Sequence, residues 1–147
     1  MDMLKGIPKI LSPQLLKTIC EMGHGDRIVL ADGNFPSEST GKNAIVLRFD
    51  GNGVPEILDA VLKLFPLDAS VDRPVKLMEV AKDDPVSTPI WSDYIETIKK
   101  YDERGQAAID TVERYRFYEE AKTAYAIVAT GEPALYANII LQKGVVK

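Results

Sequence analysis

The sequence predicts a single-domain α/β fold with a mixed, mainly parallel central sheet, on three observations. Short β-branched apolar runs alternate with longer segments of helical periodicity, the rhythm of strands and crossover helices. The 147 residues suit one core, which is typically built from about 100 to 150 residues, so residues 1–147 are taken as one domain. The last two apolar runs, "YAIVATG" and "YANIILQKG", are joined by a connection too short for a parallel crossover, so that pair is expected to be antiparallel.

The elements follow in order. "LSPQLLKTICEMG" predicts a helix with Ser12 as N-cap, Pro13 at the first helical position and Leu15, Leu16, Ile19 and Cys20 as its apolar face. Gly23 is expected to close it in the left-handed conformation, and Cys20 to lie in the core as an inert thiol. "DRIVLADG" predicts a largely buried strand that carries Asp32 at its C-terminal end. "NAIVLRFDGNG" is a second strand, and "GVPEILDAVLKLFP" a helix with Pro55 near its start and Ile57, Leu58, Val61, Leu62 and Phe65 on one face. "PVKLMEVA" reads as a third strand. "DDPVSTPIWSDYIETIKKYDERG" holds a polar loop and a hydrophilic helix with Trp91, Tyr94 and Ile98 on one stripe, expected to be peripheral. "VERYRFYEEAKTA" is a further helix, and the two closing strands flank a turn at Glu132 and Pro133. "NFPSESTGKN" and "KDDPVSTP" read as the most flexible connections.

Composition narrows the function. With 18 basic and 22 acidic residues the formal net charge is -4, which offers no broad positive field for a phosphate backbone, so nucleic acid is not an expected partner. No apolar run approaches the roughly 18 to 20 residues that a spanning helix needs, so no membrane partner is expected. One cysteine excludes an internal disulfide framework, and "MDMLKGIPKI" lacks the pattern of a secretory leader, from which a cytoplasmic location is expected.

Several motifs fail on inspection. Gly51 and Gly53 open a helix, yet Glu56 stands where a dinucleotide loop requires its third glycine. "STGKN" has Pro36 in place of the first glycine of a phosphate loop and Asn43 in place of the magnesium-binding hydroxyl. "DGNGVPE" breaks the ligand run of a calcium loop at Pro55, and one Cys and one His do not supply a zinc site. No metal and no cofactor are therefore expected.

His24, in "EMGHGD", is the one histidine of the chain and lies between two glycines. The glycines permit a tight turn, and Asp32 ends the following strand, where ligands sit in open α/β sheets. A carboxylate near an imidazole fixes its tautomer and shifts its proton affinity, so His24 and Asp32 are read together as a general acid and base. Within "YRFYEEAKTAY", Phe117 reads as a core anchor, while Arg114, Arg116 and Tyr118 remain open. Planar forks, phenols and amides hold hydroxyl-rich ligands, so Arg114, Tyr136 and Asn138 form a plausible monosaccharide-binding set.

These stretches carry a resemblance. "LKGIPKILSPQLLKTICEMGHGDRIVLADGNFP" resembles the start, and "RFYEEAKTAYAIVATGEPALYANIILQKGV" the end, of the fucose mutarotases, whose relatives are the ribose pyranases. "TPIWSDY" is similar to a variant found in part of the family. The resemblance implies a three-layer α/β/α domain that exchanges the α and β anomers of a reducing sugar, L-fucose, without metal or organic cofactor. It implies His24 as proton donor, Asp32 in contact with the sugar, and Arg114, Tyr136, Ala137 and Asn138 as substrate-binding positions. It further implies a homo-oligomeric ring, commonly a decamer, with sites near subunit boundaries. Arg114 and Gly25 match the fucose branch, whereas Ala137, in "YAN", matches the ribose branch. A ribose pyranase and a sugar-binding sensor without turnover are the alternatives to a fucose mutarotase.

Overall fold

The computed structural model describes residues 2–147. Its helices are α1 (Pro13–Glu21), α2 (Ser37–Thr40), α3 (Val54–Leu64), α4 (Ile90–Tyr101) and α5 (Arg114–Lys122). Its strands are β1 (Arg27–Ala31), β2 (Ile45–Phe49), β3 (Val75–Met78), β4 (Ile109–Val112), β5 (Ala126–Thr130) and β6 (Ile139–Gln142). They form one sheet in the order β2-β5-β1-β6-β3-β4, parallel except for β6, which runs antiparallel to both β1 and β3.

Strand residues alternate between two cores because successive side chains of a strand point to opposite faces. Ile28 and Leu30 of β1 join Ala126, Val128, Ile139 and Leu141 on one face, against Leu15 and Ile19 of α1, Ile57, Leu58 and Val61 of α3, and Tyr94 and Ile98 of α4. Val29, Ala31, Ile127 and Ile140 face the other way, against Phe35 and the α5 residues Phe117 and Ala121. A sheet buried on both faces needs continuous apolar strands, which is why β1 and β5 read as unbroken apolar runs. The single-domain, three-layer expectation holds.

Several local expectations are corrected. β5 and β6 run in opposite directions, but β1 lies between them, with Leu30 opposite both Val128 and Ile139. The short connection therefore crosses over one strand at the sheet's end instead of forming a hairpin. β4 is an additional strand, paired in parallel with β3; "IDTV" is short and half polar, as an edge strand can be. α4 is no peripheral helix, since Tyr94 and Ile98 are fully buried. "NFPSESTGKN" contains α2, with Ser37 and Thr40 buried.

α1 starts as expected, with the Ser12 hydroxyl accepting from Leu15 N at 3.2 Å and Pro13 following. Its buried face is Leu15, Thr18, Ile19 and Met22. Thr18 can occupy that stripe because its hydroxyl donates to Gln14 O at 2.8 Å. Cys20 is turned about 100° from Ile19 and is exposed, contrary to the core expectation. The left-handed residue of the turn is Gly25, at φ 88°, and not Gly23; Met22 closes α1 in extended conformation.

Candidate active site

A cavity of about 240 Å³ opens at the end of the sheet where β1, β3 and β4 terminate and β6 begins. Asp32, Asn34, Phe35, Met78, Asp84, Arg114, Tyr118, Leu135, Tyr136 and Asn138 line it. Open α/β sheets place ligands at the carboxyl ends of their parallel strands, and β6, running backwards, brings its first residues to the same edge.

Asp32 follows the last residue of β1 and is 6% exposed. Its Oδ1 accepts from Asn34 N at 3.0 Å, and its own N–H donates to Asn138 Oδ1 at 2.7 Å, which ties the β1 end to the β6 start. Burial pushes the Asp32 carboxyl above the usual range, against the opposing pull of backbone N–H groups from Asn34, Ala137 and Phe35. A proton is thus easier to place on Asp32 than on an exposed aspartate.

Arg114 is the first residue of α5, whose N-cap Glu113 accepts from Arg116 N at 3.2 Å. A cation in the first turn opposes the helix dipole, so the helix itself gains nothing from Arg114 at this position. The guanidinium lies 5.6 Å from the Tyr118 ring centroid, and no carboxylate pairs with it among the described residues. Its fork of donors is therefore available to oxygen ligands.

The segment before β6 is held from behind. Trp91 Nε1 donates to Tyr136 O at 2.8 Å, and the buried Tyr94 hydroxyl donates to Ala137 O at 2.7 Å. Tyr136 has φ 54°, the left-handed region that non-glycine residues seldom adopt, and is the one such residue among those described. Strain of this kind persists where surrounding contacts over-determine it. Ala137 is fully buried; its backbone serves the site while its methyl group faces the core.

His24 lies elsewhere. It precedes β1, whereas Asp32 follows it, and the five residues Arg27–Ala31 at about 3.3 Å each set the two at opposite edges of the sheet. The carboxylate beside the imidazole is Asp68, not Asp32. His24 Nε2 is 3.0 Å from Asp68 Oδ1 and 3.3 Å from Ser70 Oγ. Asp68 is buried, and burial alone would raise its carboxyl. The hydrogen bonds from Ser70 (N at 2.9 Å, Oγ at 2.7 Å), from Gln142 Nε2 at 2.9 Å and from His24 outweigh that and hold it far below the usual range. An ionised carboxylate only accepts, so the neutral ring carries its proton on Nε2 and leaves Nδ1 free. Arg104 fixes the same loop by donating to Val71 O at 2.9 Å and Asp68 O at 3.3 Å.

Of the residues expected from sequence, the cavity thus unites Asp32, Arg114, Tyr118, Tyr136 and Asn138, with Ala137 behind them, and leaves His24 apart. Sequence reasoning missed Asp68 and Asp84. "LDAS" and "DDPV" each carry a turn-forming aspartate, which is a signal of local structure and not of a site. Among the described residues, no three His, Cys, Asp or Glu side chains gather as a metal site.

Fold and cavity together define a small α/β protein with a pocket at its strand ends that polar and apolar side chains line together. The chain belongs to the RbsD / FucU transport protein family, whose profile matches residues 5–146. The structure of FucU from Bifidobacterium longum is 62% identical, with a TM-score of 0.96 over 97% of this chain and 100% of that one. The fucose mutarotase from Streptococcus pneumoniae, solved in complex with L-fucose, is 51% identical, with a TM-score of 0.92 over 98% of this chain and 100% of that one. The human fucose mutarotase is 48% identical over 146 residues, covering 97% of this chain and 94% of that protein.

Proposed function

We propose that this chain is an isomerase that interconverts the α and β anomers of L-fucose. The observation that carries this reading is the cavity in which Asp32, Arg114, Tyr136 and Asn138 converge, in a chain 51% identical to a fucose mutarotase solved with L-fucose. Arg114 and Asn138 supply donors to hydroxyl oxygens and Asp32 supplies an acceptor, while Phe35, Met78 and Leu135 offer apolar cover to the deoxy carbon.

Mutarotation removes a proton from the anomeric hydroxyl and delivers one to the ring oxygen; the open aldehyde then rotates and recloses. Asp32, poised by burial to take a proton, is the acceptor in this reading. His24 is the donor when its ring is the imidazolium, which keeps Nε2–H on Asp68 and gives the proton of Nδ1; because it sits at the opposite edge of its own sheet, a second copy of the chain must bring it to the cavity. A homo-oligomer follows from that requirement, and the family resemblance favours a decameric ring. The exposed apolar residues Leu135, at the cavity, and Val145, beside His24, are available for such a contact. Among the described residues no helix is long and apolar enough to cross a membrane, and the exposed thiol of the single cysteine suits a reducing compartment such as the cytoplasm.

Saturation-transfer NMR on L-fucose tests the reading. Accelerated magnetisation exchange between the two anomeric signals is expected; binding without exchange would make the protein a sugar sensor.

A further inference from the structure

Tyr136 presents its phenol to the cavity, and the hydrogen bonds around that oxygen come from the connection between β3 and α4. A phenol has one proton to donate and lone pairs with which to accept. The proton is committed: Tyr136 Oη donates to Asp84 Oδ2 at 2.9 Å. The Ala81 N–H approaches the same oxygen at 3.4 Å. What remains toward the cavity is a lone pair. The other Asp84 oxygen, Oδ1, accepts from Val86 N at 3.3 Å, so the carboxylate is fixed at both oxygens.

We propose that Asp84 is a positioning residue that sets the hydrogen-bond polarity of Tyr136, so that the cavity selects a sugar hydroxyl able to donate at that position. Asp84 acts through Tyr136, and the inference rests on the sugar-binding reading above. An ionised carboxylate offers only acceptors, which forces the phenol to point its proton away from the ligand. A ring hydroxyl meeting Tyr136 Oη must then give its own proton. Fluorine in place of that hydroxyl cannot, and would set two electron-rich atoms against each other.

The Asp84→Asn variant has a defined outcome. Asparagine keeps one acceptor oxygen, which Val86 N–H claims, and turns its amide N–H toward Tyr136. The phenol then accepts from the amide and directs its own proton into the cavity, so polarity at that position reverses.

The experiment measures affinity for L-fucose and for analogues in which each ring hydroxyl in turn is replaced by fluorine, in the unmodified protein, Asp84→Asn and Tyr136→Phe. In the unmodified protein one analogue is expected to bind at least about tenfold more weakly, the size of a lost and unmatched hydrogen bond. In Asp84→Asn that penalty is expected to fall to about threefold or less, with penalties at the other positions unchanged. Tyr136→Phe, which tests the same contact without touching Asp84, is expected to erase the same penalty. An unchanged analogue pattern in Asp84→Asn, or a uniform loss for every sugar, would overturn the assignment. An unmodified protein that does not bind L-fucose at all overturns the functional reading first, and the role of Asp84 with it.

Discussion

The two edges of the sheet joined by β1 carry different chemistry. At the C-terminal edge a cavity gathers two carboxylates, a guanidinium, two phenols and two amides, but no imidazole. At the N-terminal edge an imidazole is held by a buried carboxylate beside a cleft whose lining, with Pro66, Leu67, Ala69 and Val145, is largely apolar. The two aspartates differ in the same sense. Asp32 is raised by burial, whereas Asp68 is lowered by four hydrogen bonds and stays ionised beside His24. Under the proposed mechanism the two edges act together only when a second copy of the chain brings His24 to the cavity.

The largest effect is expected from breaking the link between the edges. His24→Ala and Asp32→Asn should each lose most anomer exchange, His24→Ala by about 10²- to 10⁴-fold, the usual span for general acid and base assistance. If each cavity takes its imidazole from another copy, co-assembling the two dead variants regenerates intact sites. Random mixing then restores activity to about a quarter of the unmodified level, because one pairing in four joins an intact pocket to an intact histidine. Mixed oligomers that stay inactive would show that His24 and Asp32 do not meet across a contact.

Arg114→His sharpens the pocket side. It replaces an unpaired fork of donors by a ring with at most two separated ones, and loss of charge-assisted bonds should reduce L-fucose exchange by about 10- to 100-fold. The unmodified protein is expected to prefer L-fucose to D-ribose for the same reason. Exchange rates for both sugars in both proteins check this, and a preference for ribose in the unmodified chain would sink the role of Arg114.

The opposite shifts of the two aspartates predict opposite behaviour in carboxyl-carbon NMR titrations. Asp32 should titrate above the ordinary aspartate value, so its stability cost is present at neutral pH and relieved as pH falls through its raised value. Asp68 has a depressed value; its stabilisation is complete above the unfolded-state value and is lost only as pH falls through the lower folded one. Asp68→Asn should accordingly lower Tm at neutral pH and slow exchange by about tenfold through a loosened His24, while Asp32→Asn should stop exchange without lowering Tm. Equal Tm losses in the two variants would remove the contrast.

Most of the sheet was legible in the sequence because strands buried on both faces must be apolar along most of their length, and β1, β5 and β6 each have one polar residue, at an end. The pairing order was not, since β5 and β6 are neighbours in sequence whose apolar edges are equally satisfied by inserting β1. β4 was hidden by Asp110 and Thr111, which an edge strand tolerates. At the site, Asp32 could be found from its position at a strand end, whereas Arg114, Tyr136 and Asn138 were found from their chemistry and from the family resemblance. Asp68 could not, because it lies 44 residues from His24 and reaches it only through the tertiary fold. Reading His24 with Asp32 followed sequence proximity, and strand length set them apart.

The smallest effect is expected at Ala137. Its methyl group lies in the core that faces α3 and α4 and does not line the cavity, and its backbone carbonyl is already engaged by Tyr94. A methyl group inside a pocket alters discrimination by about 1 to 3 kcal/mol; one outside it should alter the fucose-to-ribose ratio by less. Ala137→Gly instead removes a buried methyl and frees a backbone next to the strained Tyr136, which costs about 1 kcal/mol and lowers Tm by about 2 to 4 °C in a domain of this size. Measured together, the Tm and the exchange ratio separate the two outcomes. A shift in sugar preference larger than that of Arg114→His would mean that Ala137 governs specificity through the position of Tyr136, and that the ribose-like "YAN" outweighs Arg114.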